Sequence, residues 1–263
     1  MILLKKKKEN RRYMIISVIS FIVFLILWEL LTDGFHIIPE KKFPSPVKIV
    51  ETFIYKMNHT NPDGSTIRTH ILTSLQESVI GFAIGVGLGI PLGILMAWFE
   101  TFDMFFKPVF DLIKPIPPVG WVPVMLMAFG LGLMSKVTVI VIAAIVPIII
   151  NSYSGIKQTN PVHLWVAQTF GASRRQMLFT VAIPTAGPMI FAGIRVALNA
   201  SWVTLVAAEL VASTKGLGYM IQTARLVGRI DIVFMGVFVI GAFGAILSWL
   251  LAFAEKKIVK GGR

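Results

Sequence analysis

Six long apolar stretches alternate with polar segments along the chain: Tyr13 to Leu31, Leu75 to Trp98, Val109 to Met134, Val137 to Tyr153, Met189 to Val211 and Ile232 to Phe253. About 20 apolar residues cross a bilayer core as a helix, which satisfies its own backbone hydrogen bonds where water is absent. The pattern predicts an all-α fold, a polytopic membrane helical bundle of about six transmembrane helices. The third stretch is the least regular. Its entry, "DLIKPIPPVGWVP", holds Asp111, Lys114, Pro115, Pro117, Pro118 and Pro123, which cannot all sit inside one regular helix.

The segments between these stretches carry their own patterns. Ser45 and Pro46 form an N-cap and first helical residue, and Val50, Phe53, Ile54 and Met57 follow at i, i+3, i+4, i+7. Such a helix either lies on the membrane surface or packs on the bundle. In the second stretch Gly81, Gly85, Gly89 and Gly93 recur every four residues, a smooth stripe that lets another helix approach closely, and Pro91 should kink it. Asn160 and Pro161 begin a further short helix that Gly171 should stop. On it Val162, Trp165, Val166, Thr169 and Phe170 fall at i, i+3, i+4, i+7, i+8. It is too short to cross a membrane, so its apolar face must lie on its own bundle or dock into another protein.

Composition narrows the class. Of 263 residues 56% are hydrophobic and 14% charged, against about a quarter charged in soluble domains. The net charge of +12 comes from lysines and arginines beside apolar stretches, a topology signal rather than a nucleic-acid face. Lys5, Lys6, Lys7, Lys8, Arg11 and Arg12 precede the first stretch and Lys256, Lys257, Lys260 and Arg263 follow the last. Both termini are therefore expected in the cytoplasm, with an even number of crossings. The first stretch is longer than a signal-peptide core of about 7 to 15 residues and no small-x-small site follows it, so it reads as an uncleaved span. Alternation then puts residues 32–73 outside, Phe99 to Pro108 inside, Ser154 to Pro188 inside and "ASTKGLGYMIQTARLVGRID" outside. Lys41, Lys42, Lys48, Lys56, Arg68, Lys136, Lys215, Arg225 and Arg229 fall in outer loops, so the charge signal rests on the termini. Residues 1–70 form an N-terminal portion of basic tail, first helix and amphipathic segment, and 71–263 a five-helix core with a cytoplasmic loop at 155–188.

Candidate chemistry is sparse. The chain has no cysteine, which excludes disulfides and thiolate metal sites. No Gly-x4-Gly-Lys-Ser/Thr loop cradles ATP phosphates, no His-Glu-x-x-His exists, and His36, His59, His70 and His163 are scattered; no cofactor or metal is expected. Ionisable residues in membranes usually face a bundle interior or a water-filled path. On the fifth stretch Arg195, Trp202 and Glu209 are spaced by seven, close to one helical face. Trp202, Glu209 and Asn199 are the candidates for a translocation path, whereas Arg195 snorkels or braces the adjoining loop and Glu77 caps or packs. An intramembrane enzyme would need a catalytic pair, which is missing. An ion-driven carrier would show two matching halves with broken helices, and no such repeat is visible.

The loop after the fourth stretch resembles the signature of the permease subunits of ABC importers: Glu-Ala-Ala, a glycine after three residues, then Ile-x-Leu-Pro at a fixed interval. Val166 and Ala167 match the alanines, Gly171 the glycine, and Val181, Ile183 and Pro184 the closing motif, while Trp165 stands where the glutamate would be. "FPSPVKIV", "KPIPPVGWVPVMLMAFGLG", "GASRRQMLFTVAIPTAGPMIFAGIRVAL" and "TLVAAELVASTKGLGY" extend the likeness over nearly the whole chain, toward the nitrate, taurine and alkanesulfonate branch. The resemblance implies the type I ABC importer permease fold and a bacterial cytoplasmic membrane location. It implies a homodimer holding two ATPase subunits, fed by an extracytoplasmic binding protein. Trp165, Val166, Ala167, Thr169, Phe170, Gly171, Ala172, Ser173, Arg174, Arg175 and Pro184 would then couple to the ATPase. The implied solute is nitrate, a sulfonate such as taurine, or a related small anionic or heteroaromatic nutrient.

Overall fold

Helices form along the apolar stretches, broken only within the third, and the computed structural model contains no strand among the residues it describes: 2–35, 39 and 41–258, with side chains from Tyr13 to Lys257. His36, Lys260, Arg263 and the side chains of Lys5 to Lys8, Arg11 and Arg12 lie outside that description. In chain order the α-helices are α1 (Ile2–Glu29), α2 (Pro46–Asn58), α3 (Ile67–Trp98), α4 (Glu100–Ile113), α5 (Val122–Phe129), α6 (Leu133–Lys157), α7 (Pro161–Thr169), α8 (Arg174–Met177), α9 (Ile183–Ala212), α10 (Leu217–Leu226) and α11 (Ile230–Ile258). Among the described residues five helical runs are long and apolar enough to cross a membrane, and α4 with α5 makes a sixth if counted as one bent span.

That bent pair corrects the expected third span. Phe99 to Pro108, expected as a loop, is mostly α4, and the chain turns by 86° between Ile113 and Pro118. Glu100, Asp103, Lys107, Asp111 and Lys114 follow a helical repeat on one face of α4, opposite Phe102, Phe105, Val109 and Leu112. Average hydropathy hides such an amphipathic helix. Pro115, Pro117 and Pro118 then break it, because each lacks a backbone donor and disfavours helix in the residue before. The fifth span also starts earlier than Met189. Arg174 to Ala212 is one helical run of 39 residues, in which a wide turn at Leu178–Ala182 precedes Pro184. A wide turn accommodates the missing proline donor without ending the helix.

Two compact units divide the chain. Met1–Ile67 with Met220–Phe238 form the first. Its core includes Trp28, stacked on Phe238 at 5.8 Å and tilted against Phe43 at 5.2 Å, with Phe234 edge-on to Phe43 at 4.8 Å. Ser45 caps α2 by accepting from the Lys48 N–H at 3.2 Å. The buried face of α2 is Ile49, Thr52 and Lys56; of the apolar stripe Phe53 and Met57 are half-buried, while Val50 and Ile54 point outward. Lys56, expected as an outer-loop charge, is fully buried, with Nζ donating to Asn61 O (2.9 Å), Asp63 Oδ1 (2.7 Å) and Ser65 O (2.8 Å). Arg229 forks onto Asp231, which also accepts from the Thr52 hydroxyl, and this hydrogen bonding pushes the Arg229 pKa up.

Arg68–Tyr219 and Val239–Arg263 form the second unit, in which α6 and α9 pack along their lengths. The glycine stripe of α3 faces a matching repeat on α6. A Cβ at Gly81 would overlap Ile140, at Gly85 Ala144, at Gly89 Ile148 and at Gly93 Ser152. Absent side chains on α3 let larger ones on α6 sit against its backbone, the close approach that replaces hydrophobic drive in lipid.

Candidate functional site

The loop between α6 and α9 is built from local capping chemistry. Asn160 Oδ1 accepts from the Val162 N–H at 2.9 Å and Pro161 fills the first position of α7, where its missing donor costs nothing. At the other end Ala172 N–H donates to Ala167 O at 3.0 Å and Gly171 N–H to Gln168 O at 2.9 Å. This is the two-bond arrangement that closes a helix on a left-handed residue. Gly171 supplies it at φ +79°. Ser173 and Gln176 then cap α8 reciprocally, Gln176 N–H donating to Ser173 Oγ and Ser173 N–H to Gln176 Oε1.

These caps hold an apolar edge in the open. Val162 is 50% exposed, Trp165 62%, Val166 50% and Phe170 87%. Thr169, which bonds back to Val166 O, is exposed as well. The element is nonetheless anchored: Leu178, Ala182, Ala186 and Ile190 pack with Ala97 and Ile156 in a buried cluster, and Arg174 Nη2 donates to Trp98 O at 3.3 Å. Trp98, Trp165, Arg174 and Met177 line a groove of about 550 Å³ between α7 and the end of α3. Arg175 is exposed. An exposed aromatic edge on a helix capped at both ends, with the Arg174 guanidinium in the groove beside it, has the makings of an interaction anchor.

At the far end of α9 the structure assembles a buried polar cluster. Glu209 is 1% exposed, its Oε1 accepting from the Ser74 hydroxyl at 2.6 Å and its Oε2 from the Gly218 N–H at 2.7 Å. Glu77 is ion-paired with Lys136, whose Nζ also donates to Ser213 Oγ at 3.0 Å. Midway along α9 the Trp202 indole donates to Ile240 O at 3.1 Å and lies against Gly244. Asn199 is exposed and accepts from the Ser248 hydroxyl at 3.3 Å. Arg195 pairs with Glu255.

Binding-protein-dependent transport system inner membrane components form a family whose model matches residues 89–260. The chain belongs to this family. The taurine transport system permease protein of Escherichia coli K12 is 33% identical over 94% of this chain and 88% of its own length. The nitrate import permease protein of Synechocystis is 30% identical over 92% of this chain and 88% of its own. An inward-facing structure of the MetNI methionine ABC transporter superposes with a TM-score of 0.61 at 16% identity, covering 73% of this chain and 93% of that one, a likeness of fold. The permease is thus a multi-pass membrane subunit of an ATP-driven ABC importer and not an enzyme. Membership of this family implies ATPase and binding-protein partners.

Within the permease the sequence candidates separate. Trp165 through Arg175 are brought together at one end of the second unit, whereas Pro184 lies further on, near the start of α9. Trp202 and Glu209, the candidates for a translocation path, are both buried by their own chain. A seven-residue step drifts by about 20° per repeat on a straight helix, and the face carrying Trp202 and Glu209 is the packed one. Asn199, with Val196 and Val203, lies on the open face. The sequence does not mark His70, Ser74, Lys136 and Gly216 as one cluster. The signal was partial: His70, Ser74 and Glu77 fall at i, i+4, i+7 on α3, but nothing in the sequence says which distant loop they meet.

Proposed function

We propose that residues 155–188 are the surface through which a separate ATPase subunit drives this permease, with α7 seated in a cleft of the ATPase. The observation that supports this most is the exposed edge Val162–Trp165–Val166–Phe170 on a helix fixed by caps at both ends. The tryptophan in place of the family glutamate makes the contact apolar there, leaving Arg174 and Arg175 to set orientation by charge. Two copies of the permease form a symmetric pair in the bacterial cytoplasmic membrane, both termini in the cytoplasm, each copy holding one ATPase. The path lies between the copies, opening outward with ATP bound and closing after hydrolysis. Asn199 on the open face of α9 is the candidate to line it. The solute is a small anionic nutrient of the sulfonate or nitrate kind, supported by relatives bearing those names that align over more than nine-tenths of the chain.

Truncation tests the coupling surface. Phe170→Ala removes an exposed aromatic anchor, a change that typically costs at least about 2 kcal/mol of association, roughly thirtyfold. Gly171→Val meets no steric obstacle, but its β-carbon strains the left-handed backbone by about 1–2 kcal/mol and redirects the chain. Both variants should insert normally yet co-purify poorly with the ATPase and lose uptake, whereas Phe99→Ala should be mild. Normal ATPase co-purification and uptake in both would remove the coupling role.

A further inference from the structure

Three successive backbone donors, where a short loop enters α10, are claimed by side chains of α3 and α9. Gly216 N–H donates to His70 Nδ1 at 3.0 Å, Leu217 N–H to Ser74 Oγ at 2.9 Å and Gly218 N–H to Glu209 Oε2 at 2.7 Å. Ser74 passes its own proton toward Glu209 Oε1. Ser213, at the start of the loop, is held by Lys136 and bonds to Lys215 O. The fit leaves no slack. Gly216 adopts φ +119° with its α-carbon against the Glu209 carboxylate, and a β-carbon on Gly218 would strike Val206 O and Glu209 Cβ. His70, Ser74 and Glu209 are all fully or nearly fully buried.

A buried carboxylate is a costly way to fill space, and an apolar residue of similar size would pack as well. What the carboxylate adds is two fixed acceptors. Both are occupied from within the chain, which rules Glu209 out as a solute contact in this conformation. The helical run bearing Glu209 extends from Arg174, beside the coupling surface, through the wide turn at Leu178–Ala182 to Ala212, one turn beyond Glu209. At 1.5 Å per residue that is a rod of roughly 58 Å.

We propose that Glu209 is a positioning residue for transport: with Ser74 and His70 it clasps the loop at 213–216 and the start of α10 to the rod and to α3. A displacement of the coupling surface then moves that loop and the neighbouring end of α3 as one body. This rests on the coupling role of residues 155–188. Without the clasp, the rod's far end moves and the loop lags behind, so the state of the ATPase no longer sets the state of the opposite face.

The chain has no cysteine, so Thr214→Cys gives the purified permease a single nitroxide on the exposed part of the loop before assembly with its ATPase and binding protein. In the parent the label should be immobile, with a spectrum that changes between the nucleotide-free and vanadate-trapped states. Ser74→Ala, which leaves a hole the size of one oxygen atom, and Glu209→Gln, which keeps shape and one acceptor, should each make the label mobile. Each should also lower the stimulation of ATP hydrolysis by the binding protein about tenfold or more: Glu209→Gln loses one hydrogen bond to the buried carboxyl, and Ser74→Ala loses that kind of bond together with the one from the Leu217 N–H. Basal hydrolysis and ATPase co-purification should stay at the parent level. An immobile label in both variants overturns the clasp, and a mobile label with undiminished stimulation overturns its role in transport. Gly171→Val run alongside separates the two ideas: if it retains ATPase binding, the coupling surface is wrong, while label mobility still reports on the clasp.

Discussion

At the scale of single residues, identical side chains do opposite work depending on what surrounds them. Lys48 and Lys56 lie eight positions apart in one helix. Lys48 pairs with Glu51 at 3.3 Å with both side chains largely in solvent, an arrangement worth between nothing and about 1 kcal/mol. Lys56 uses all three ammonium protons inside the protein, one on Asp63. Removing one partner of a buried pair typically costs about 3–5 kcal/mol, because the other charge stays behind without it. Lys56→Met should therefore lower the thermal midpoint of the detergent-solubilised permease clearly, and Lys48→Met should leave it within error. Equal midpoints would mean that the buried lysine is dispensable. Lys136 repeats the lesson: it reads as a loop charge, yet it lies in the first turn of α6 beside Glu77.

At the scale of elements, the glycine stripe makes the sharpest prediction. Gly85 faces Ala144 with no room for a methyl group, whereas Gly87, half a turn away, meets nothing within 4 Å. Gly85→Val should force α3 from α6 and cost about 1–3 kcal/mol or more of overpacking, seen as reduced expression and a lower midpoint. Gly87→Val should behave as the parent, and a reversed order would place the α3–α6 contact elsewhere. This element was readable because a four-residue period is a property of the helix alone. The ends of α7 were readable for the same reason: Asn160, Pro161 and Gly171 act on the backbone within a few residues of themselves. α4 was not readable by hydropathy, since Glu100, Asp103 and Lys107 cancel Phe102, Phe105 and Phe106 in any average. Nor could the wide turn before Pro184 be foreseen, because a proline in sequence equally announces an end and a distortion.

At the scale of the whole molecule, the bent α4–α5 pair decides the topology. Counted as one crossing it gives six spans and places both termini on one side; counted as a re-entrant loop it gives five and separates them. Reporter fusions at the N-terminus, Gln158 and the C-terminus should all read cytoplasmic, and a fusion at Gly64 external. An external reading at Gln158 would take the coupling surface away from any ATPase. The sequence by itself determined the class of molecule, its apolar spans, the capped helix with its greasy edge and the glycine contact face, because burial in lipid, capping and small-residue spacing act along one helix at a time. Only the tertiary structure decided which charges are paired and which face of a helix is closed. Glu209 reads as a charge facing a path, and becomes an anchor only when α3 brings Ser74 beside it and the chain folds Gly218 back onto it, contacts 135 and nine residues away in sequence. Hydrogen bonds between distant segments leave no period in either, so no local pattern records them.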